Sequence, residues 1–357
     1  PVLPYRGGIA QYNSLLLRAL ARSDIDARFF SFSRQYPQWL YPGASDRDPT
    51  LTNYAEPGVR YTIDSINPLT WWKAAREIAE LDPALVVFHW WTAFWAPCFM
   101  TMIQFLKRRG FCVALIGHNL ADHDAGGLKA AISRRVLDMA DAYLVHSSEH
   151  MHILQRERPG KPVVFHPIPV YGHYPPAQHA LTKRGRLELL FFGFIRPYKG
   201  LDVLLKAIRT LSDKDVYLTV VGEHWGDSRA IVEETADWPN TELHLNYISD
   251  GEAAEYFDRA DFVVLPYTAA TPSAVASVAF HYDTPIIASR VEGLTDVVID
   301  GQTGILIPPG DPDALADIIR AASRGQSQHL AEGVMRYKHA HNWDSLCTTL
   351  QQLVKAK

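Results

Sequence analysis

Cysteine is scarce in this sequence, and neither charge is in marked excess. Cys98, Cys112 and Cys347 are scattered through 357 residues with no CxxC spacing. That excludes a disulfide scaffold and a cysteine-clustered zinc site, and points to reduced core thiols in a reducing compartment such as the cytoplasm. The formal net charge is −4, and no basic stripe interleaved with aromatics occurs, so nothing supports nucleic-acid binding. No apolar run is long enough to span a bilayer. HExxH is absent, and the DHD triplet at Asp122 to Asp124 is the one metal-like pattern, of a kind that arises easily by chance. No metal site is therefore expected.

What remains is the composition of a globular chain, 47% apolar and 21% charged, long enough for two domains of ordinary size. Apolar runs alternate with helical patterns from end to end, the signature of βαβ units and parallel sheets. In the first half the predicted strands are ARFFSFS, ALVVFHW, FCVALIGHN, AYLVHS and PVVFHP. In the second they are LELLFFGF, VYLTVVG, TELHLNY, FVVLPY, TPIIAS and TGILIPP. The stretch Tyr171 to Arg186 is rich in proline and polar residues, has neither period, and reads as a linker. The expected division is a Rossmann-like domain over 1–175, a second over 185–325, and C-terminal helices over 326–357 that cross back to the first domain. PVLPYRGG resembles the turn after a first strand, so a strand in the middle of the first sheet is expected to precede it.

In an open parallel sheet, ligands bind beyond the carboxyl ends of the strands, where helix N-termini point. That rule selects Gly7 and Gly8, His89, His118, Gly193 to Gly200, Gly222 to Gly226, Thr268 to Val275 and Arg290 to Thr295. FFGFIRPYKGLDVLLKAI places Arg196 and Lys199 in a turn at a helix start, where cations oppose the macrodipole unless an anion lies between them. Gly193 lets the backbone approach a ligand. Two solvated surface charges are the plain alternative. In PYTAATPSAVASVAF, Thr271 is a good N-cap and Pro272 a good first helical residue. The first-turn N–H groups of Ser273, Ala274 and Val275 would then face an anion. A capped buried helix explains the same residues, but two such turns in one domain favour a diphosphate site. His89 and His118 end strands, where histidine is more often structural than catalytic.

Taken in order, PYRGGIAQY, GHN at 117–119, ADAYLVHSSEH, FFGFIRPYKGLDVLLKAI, LTVVGEHWG, ADFVVLPYTAATPSAVASVAF and TPIIASRVEGLTDVVIDGQTGILIPPGD give the whole chain a resemblance to the retaining glycosyltransferases of group 1 (family 4). The resemblance implies an α/β GT-B fold of two Rossmann-like parallel-sheet domains. It implies a nucleotide-diphosphate sugar donor as substrate, with no separate cofactor and no metal, and a glycan or lipid-linked acceptor. Arg196 and Lys199 would hold the diphosphate, Gly7 and Gly8 would face phosphate or sugar, and His118 would line the donor-sugar site. A role in bacterial polysaccharide, lipopolysaccharide or glycolipid synthesis follows, at the cytoplasmic side or inner membrane face.

The chain departs from the family at one place. Two glutamates eight residues apart are usual there, and Ala270 and Val278 stand instead. The pattern Ala270, Thr271, Ser273, Val275 matches a subset of the family. Glu292 and Asp296 are candidates to take over part of the hydroxyl recognition. A catalytically silent nucleotide-sugar-binding protein is the alternative reading. Another enzyme of the same fold, such as an epimerase or phosphorylase, is a third. Trp90, Trp91, Phe94, Trp95, Lys107, Arg108 and Arg109 read either as a surface for a lipid-linked acceptor or, preferably, as a packed helix face with a basic end. Net charge gives no support for strong membrane attachment.

Overall fold

The computed structural model describes residues 1–357 apart from 41–44, 121–126, 173, 212–215, 225–229, 231, 234–237, 247, 270–272, 324–327 and 356–357. Two compact units emerge, Pro1–His166 together with Trp343–Lys357, and Pro167–Asn342.

In the first unit, α1 (Gly8–Arg22) buries Tyr12, Leu15, Leu16, Ala19 and Leu20, an i, i+3, i+4 stripe. Strands β1 (Phe29–Arg34) and β2 (Val59–Asp64) form a parallel pair. α2 (Pro68–Glu80) follows, started by Pro68 and by the Asn67 side chain accepting from the Leu69 N–H. Then come β3 (Val86–Trp90), α3 (Ala96–Lys107), β4 (Val113–Gly117), α4 (Gly127–Met139), β5 (Ala142–Val145), α5 (Ser148–Glu157) and β6 (Val163–Phe165). β3 to β6 lie side by side in sequence order and all run parallel. β4 and β5 are buried along their whole length, as strands covered on both faces must be. A cavity of about 590 Å³ lies between β1 and β3, lined by Phe29 to Phe32 on one side and Leu85 to His89 on the other.

The second unit holds one six-stranded parallel sheet in the order β12-β11-β10-β7-β8-β9. These strands are β7 (Leu187–Phe192), β8 (Val216–Val221), β9 (Thr241–His244), β10 (Phe262–Leu265), β11 (Ile286–Ser289) and β12 (Gly304–Ile307). The order reverses at β7, where one half of the sheet winds away from the other. α6 (Leu201–Arg209) follows β7, and α7 (Asp250–Arg259) precedes β10 behind a reciprocal Ser249–Glu252 capping box. α8 (Ala274–His281) links β10 to β11, and α9 (Pro312–Ala322) packs on α6.

Eleven of these strands match the predicted runs. β2 was missed because VRYTID carries no continuous apolar run and only Ile63 in it is buried. Two boundaries also differ from the sequence reading. Tyr171 and Tyr174 in the expected linker are buried, and the carbonyls of Tyr174 and Pro175 accept from His281 and Tyr282 of the second unit. Of the final helices, expected together to cross back to the first domain, only the last belongs to it. α10 (Gln328–Ala340) stays with the second, where Tyr337 meets Phe280 and the Lys338 ammonium donates to the His281 carbonyl. α11 (Trp343–Lys355) belongs to the first and packs on α1.

Candidate functional site

Because all six strands of the second unit are parallel, their carboxyl ends share one edge. There the backbones of β7 and β8 run unusually close. Gly193 donates to the Val221 carbonyl at 2.8 Å, and a Cβ on Gly222 would stand 2.2 Å from the Gly193 carbonyl oxygen. Only glycine fits at 222. Gly193 itself adopts φ 96°, and a Cβ there would lie 3.2 Å from the Lys199 Nζ and 3.4 Å from the Val275 Cγ2. The small surface of Gly193, the Lys199 ammonium and the first turn of α8 thus converge on one point.

Arg196 and Lys199 flank a single 3-10 turn, Pro197–Lys199, that closes on Gly200 before α6 begins. Lys199 is only 9% exposed, with its ammonium 5.7 Å from the Tyr267 ring centre. Burial, with the neighbouring Arg196 charge adding to it, pulls its pKa down to about 8. Arg196 lies over the Phe194 ring. The pocket is therefore a concentration of positive charge that water does not fully solvate, which an anion would relieve.

On the α8 side, the helix begins at Ala274 with Ser273 as its N-cap. Thr271 and Pro272, where the sequence reading started it, lie outside the described residues, as does Ala270. Ser273 is extended, at φ −102° and ψ 118°, and its hydroxyl makes no cap bond to its own helix. The Ala276 N–H is closed onto the Ser273 carbonyl. The Ala274 and Val275 N–H groups are left at the helix mouth, the usual seat of an anion. Glu292 is half-buried in the turn after β11, at the same edge of the sheet. Val278 is 3% exposed, an apolar packing position within α8.

A second cluster stands at the carboxyl edge of the first unit. His118 follows β4, with its N–H bonded to the Trp90 carbonyl at 2.9 Å. Its ring packs among His89, His146 and Tyr12, with centroids 4.8 to 5.4 Å away. Burial drives the pKa of His89 down to about 3 and that of His146 to about 4, and holds His118 well below its ordinary value. All three imidazoles are neutral near pH 7. His146 Nδ1 must be protonated, since it donates to the His166 carbonyl at 2.7 Å. Tyr12 lies one turn into α1, whose N-terminus is Gly7 and Gly8, so those glycines open on the same corner as His118. Gly7 is the N-cap, at φ 102°. Among the described residues no group of three or more His, Cys, Asp and Glu side chains could hold a metal ion. The DHD triplet lies outside the described residues.

Residues 186–324, the strands and helices that build the Lys199 pocket, match the family model described as glycosyl transferases group 1. Through this segment the chain is similar to the group 1 glycosyltransferases. Similar proteins carry related names. The D-inositol 3-phosphate glycosyltransferase of Corynebacterium glutamicum strain R is 26% identical over 61% of this chain and 57% of its own length. The GDP-mannose:glycolipid 4-beta-D-mannosyltransferase of Xanthomonas campestris pv. campestris is 27% identical over 66% of this chain and 68% of its own. The chain spans little more than half of the first of these. In fold, it is similar to sucrose-phosphate synthase from Thermosynechococcus elongatus, with TM-score 0.70 and 20% identity over 98% of this chain and 93% of that one. It is likewise similar to Anabaena HepE in complex with UDP, with TM-score 0.65 and 13% identity over 84% and 86%. The fold is GT-B.

Of the residues selected from the sequence, Gly193, Arg196, Lys199, Ser273, Ala274 and Val275 come together in the second unit. In the first, His118 packs on Tyr12 of α1, the helix that Gly7 and Gly8 open. Three further residues escaped the sequence reading. His146 ends the predicted strand AYLVHS, so the strand-end rule already pointed to it. Tyr267 and Tyr12 gave no signal, because a buried ring beneath a charge looks in sequence like any core aromatic. The preferred packed reading holds for Trp90 and Trp95, both fully buried in the core of the first unit. Lys107 is tied to Asp141 and to the Met139 carbonyl.

Proposed function

We propose that the chain is a retaining glycosyltransferase that moves a sugar from a nucleotide-diphosphate donor to a glycan or lipid-linked acceptor. The observation that carries this reading is the convergence of the Lys199 ammonium and the α8 N-terminus on the bare backbone of Gly193. As the donor's C1–O bond breaks, negative charge grows on the departing diphosphate. Fixed positive groups aimed at that charge lower the barrier most. Arg196, Lys199, the Ser273 hydroxyl and the Ala274 and Val275 N–H groups supply them. The acceptor hydroxyl then bonds to C1 on the face the diphosphate leaves, and its proton passes to a departing phosphate oxygen. Configuration is retained and no protein base is required.

His118 recognises the donor sugar, and Gly7 and Gly8 approach it or its phosphate. Glu292, with Asp296, recovers part of the hydroxyl recognition that glutamates at 270 and 278 would give. A UDP-bound fold neighbour and a relative named for a glycolipid acceptor support donor and acceptor of these classes. The setting is polysaccharide, lipopolysaccharide or glycolipid assembly, in the cytoplasm or at its membrane.

Thermal-shift screening against UDP-, GDP-, ADP- and TDP-sugars tests the reading, because a ligand of the folded state raises the melting temperature. The donor that stabilises should then be turned over, with EDTA leaving the rate unchanged. Ala270 and Val278 favour a second reading, a binding protein without turnover. Stabilisation by a donor with no transfer to any acceptor would select it.

A further inference from the structure

Lys199 and Ser273 reach the same pocket from two different loops, and Tyr267 meets both. Tyr267 follows β10, in the loop that leads to α8, and is buried. That loop is tied through the backbone to the turn that carries Arg196 and Lys199. The Thr268 N–H donates to the Tyr198 carbonyl at 2.8 Å, and a Cβ on Gly200 would stand 1.9 Å from the Pro266 carbonyl oxygen. The Tyr198 ring stands edge-on to the Tyr267 ring at 6.2 Å. With both loops fixed, the Tyr267 ring faces the Lys199 ammonium, its centre 5.7 Å from the nitrogen, inside the range of a cation–π contact.

The polar end of the side chain is unused. The Tyr267 hydroxyl is buried and has no hydrogen-bond partner among the described residues. A phenylalanine would fill the same space without that cost, since a buried hydroxyl left unpaired is unfavourable. Burial pushes the phenol pKa up, and the Ser273 hydroxyl beside it pulls the other way. Ser273 is itself extended and makes no cap bond to α8. The two hydroxyls can therefore join in one chain. The Tyr267 O–H donates to Ser273 Oγ, and the Ser273 O–H is released toward an anion at the mouth of α8. Around the ammonium, Arg196 supplies the neighbouring charge and Tyr267 the phenol, while Gly193 and Val275 bring no charge.

We propose that Tyr267 is a positioning residue of the anion site: its ring seats the Lys199 ammonium, and its hydroxyl turns the Ser273 hydroxyl onto a diphosphate oxygen. It touches neither substrate nor reacting atoms and acts through those two residues, one on each loop. This role rests on the diphosphate reading of the pocket.

The test is calorimetric binding of UDP, GDP, ADP and TDP to the intact protein across a range of pH. Tyr267→Phe keeps the ring and is expected to weaken binding about three- to tenfold, the scale of one neutral hydrogen bond. The pH at which affinity falls should stay near the Lys199 value of about 8. In a Ser273→Ala background the same change should have no further effect, because residues that act through one another are not additive. Ring fluorines weaken the negative face of the ring and hardly alter its shape. Phenylalanine with one, two and three fluorines at 267 should therefore lower that pH stepwise, by about half a unit or more in all. A merely structural tyrosine would change the melting temperature and leave the pH profile and the additivity untouched. Full additivity with Ser273→Ala, or an unmoved pH profile across the fluorinated series, would overturn the proposal. If the wild type binds none of the four nucleotides, the diphosphate reading falls and this role with it. Binding by the wild type, matched by every variant, sinks this role alone.

Discussion

His89 Nδ1 lies 3.0 Å from His118 Nε2, and the two rings are stacked with 17° between their planes. Both imidazoles are kept neutral by burial. A hydrogen bond between neutral imidazoles holds one proton, so one nitrogen donates and the other accepts. When His89 donates, the proton of His118 sits on Nδ1, and His118 offers a donor on its far side. His89 therefore sets the hydrogen-bonding character of the residue proposed to meet the sugar.

His118→Ala is expected to lower turnover about tenfold or more, the scale of one hydrogen bond lost at a buried polar site. His89→Phe should give a smaller loss by freeing the His118 tautomer. The check is the ¹⁵N spectrum of His118, whose two nitrogen shifts should change in His89→Phe and recover toward wild type in His89→Asn. Unchanged shifts would place His89 outside any positioning role.

Charge-assisted hydrogen bonds contribute about 1.5–3 kcal/mol each. Arg196→Ala and Lys199→Ala should thus each weaken nucleoside-diphosphate binding by roughly 10- to 100-fold. The double variant should lose transfer while keeping its fold, measured by calorimetry and by circular dichroism. Normal turnover in the double variant would refute the site.

Lys199 gives this pocket a pH signature. Its pKa falls from 10.5 unfolded to about 8 folded, so the buried ammonium costs roughly 3 kcal/mol at neutral pH. Between about pH 8 and 10.5 the unfolded chain holds the extra proton, and this contribution makes stability rise with pH across that window. Anion binding needs the ammonium, so affinity for a nucleoside diphosphate should fall as pH rises through about 8. Binding near pH 8.5 should take up a proton, seen as a buffer-dependent heat. Lys199→Arg should remove that dependence, because guanidinium stays charged.

Much of this was legible in the chain. Continuous apolar runs such as FVVLPY and TPIIAS announce buried parallel strands, and the strand-end rule then finds Gly193, Lys199 and His118 without coordinates. What the chain hides is depth and neighbourhood. The aromatic density of HWWTAFW, residues 89–95, does not say which of its rings are most deeply buried, as Trp90 and Trp95 are, while PLTWWKAAREIAE conceals that Trp72 faces water and Trp71 does not. The start of α8 was misplaced because Thr271 and Ser273 are both good N-caps, and local chemistry cannot choose between them. The pairing of His89 with His118 joins two strands and has no counterpart in sequence spacing.

The second unit also carries a charge network that should separate stability from binding. Glu188, buried in the first half of β7, accepts from the Arg184 Nη2 at 2.7 Å. Arg259, buried at the end of α7, donates to Glu242 at 2.6 Å and to the Thr219 hydroxyl at 2.8 Å, and Arg184 also reaches Glu242. Arg259→Met removes one buried cation, takes the 2.6 Å partner from the part-exposed Glu242 and leaves the buried Glu188 held by Arg184 alone. Losing a charge-assisted hydrogen bond of this kind typically costs about 1.5–3 kcal/mol, so a fall in the denaturant midpoint of this unit is expected. Glu188 opens β7 and Gly193 follows its far end, with the strand's remaining residues between them. Donor affinity measured well below the transition should therefore stay within about threefold of wild type, as expected for sites with no shared partner. Loss of affinity without loss of stability would show that the network shapes the pocket.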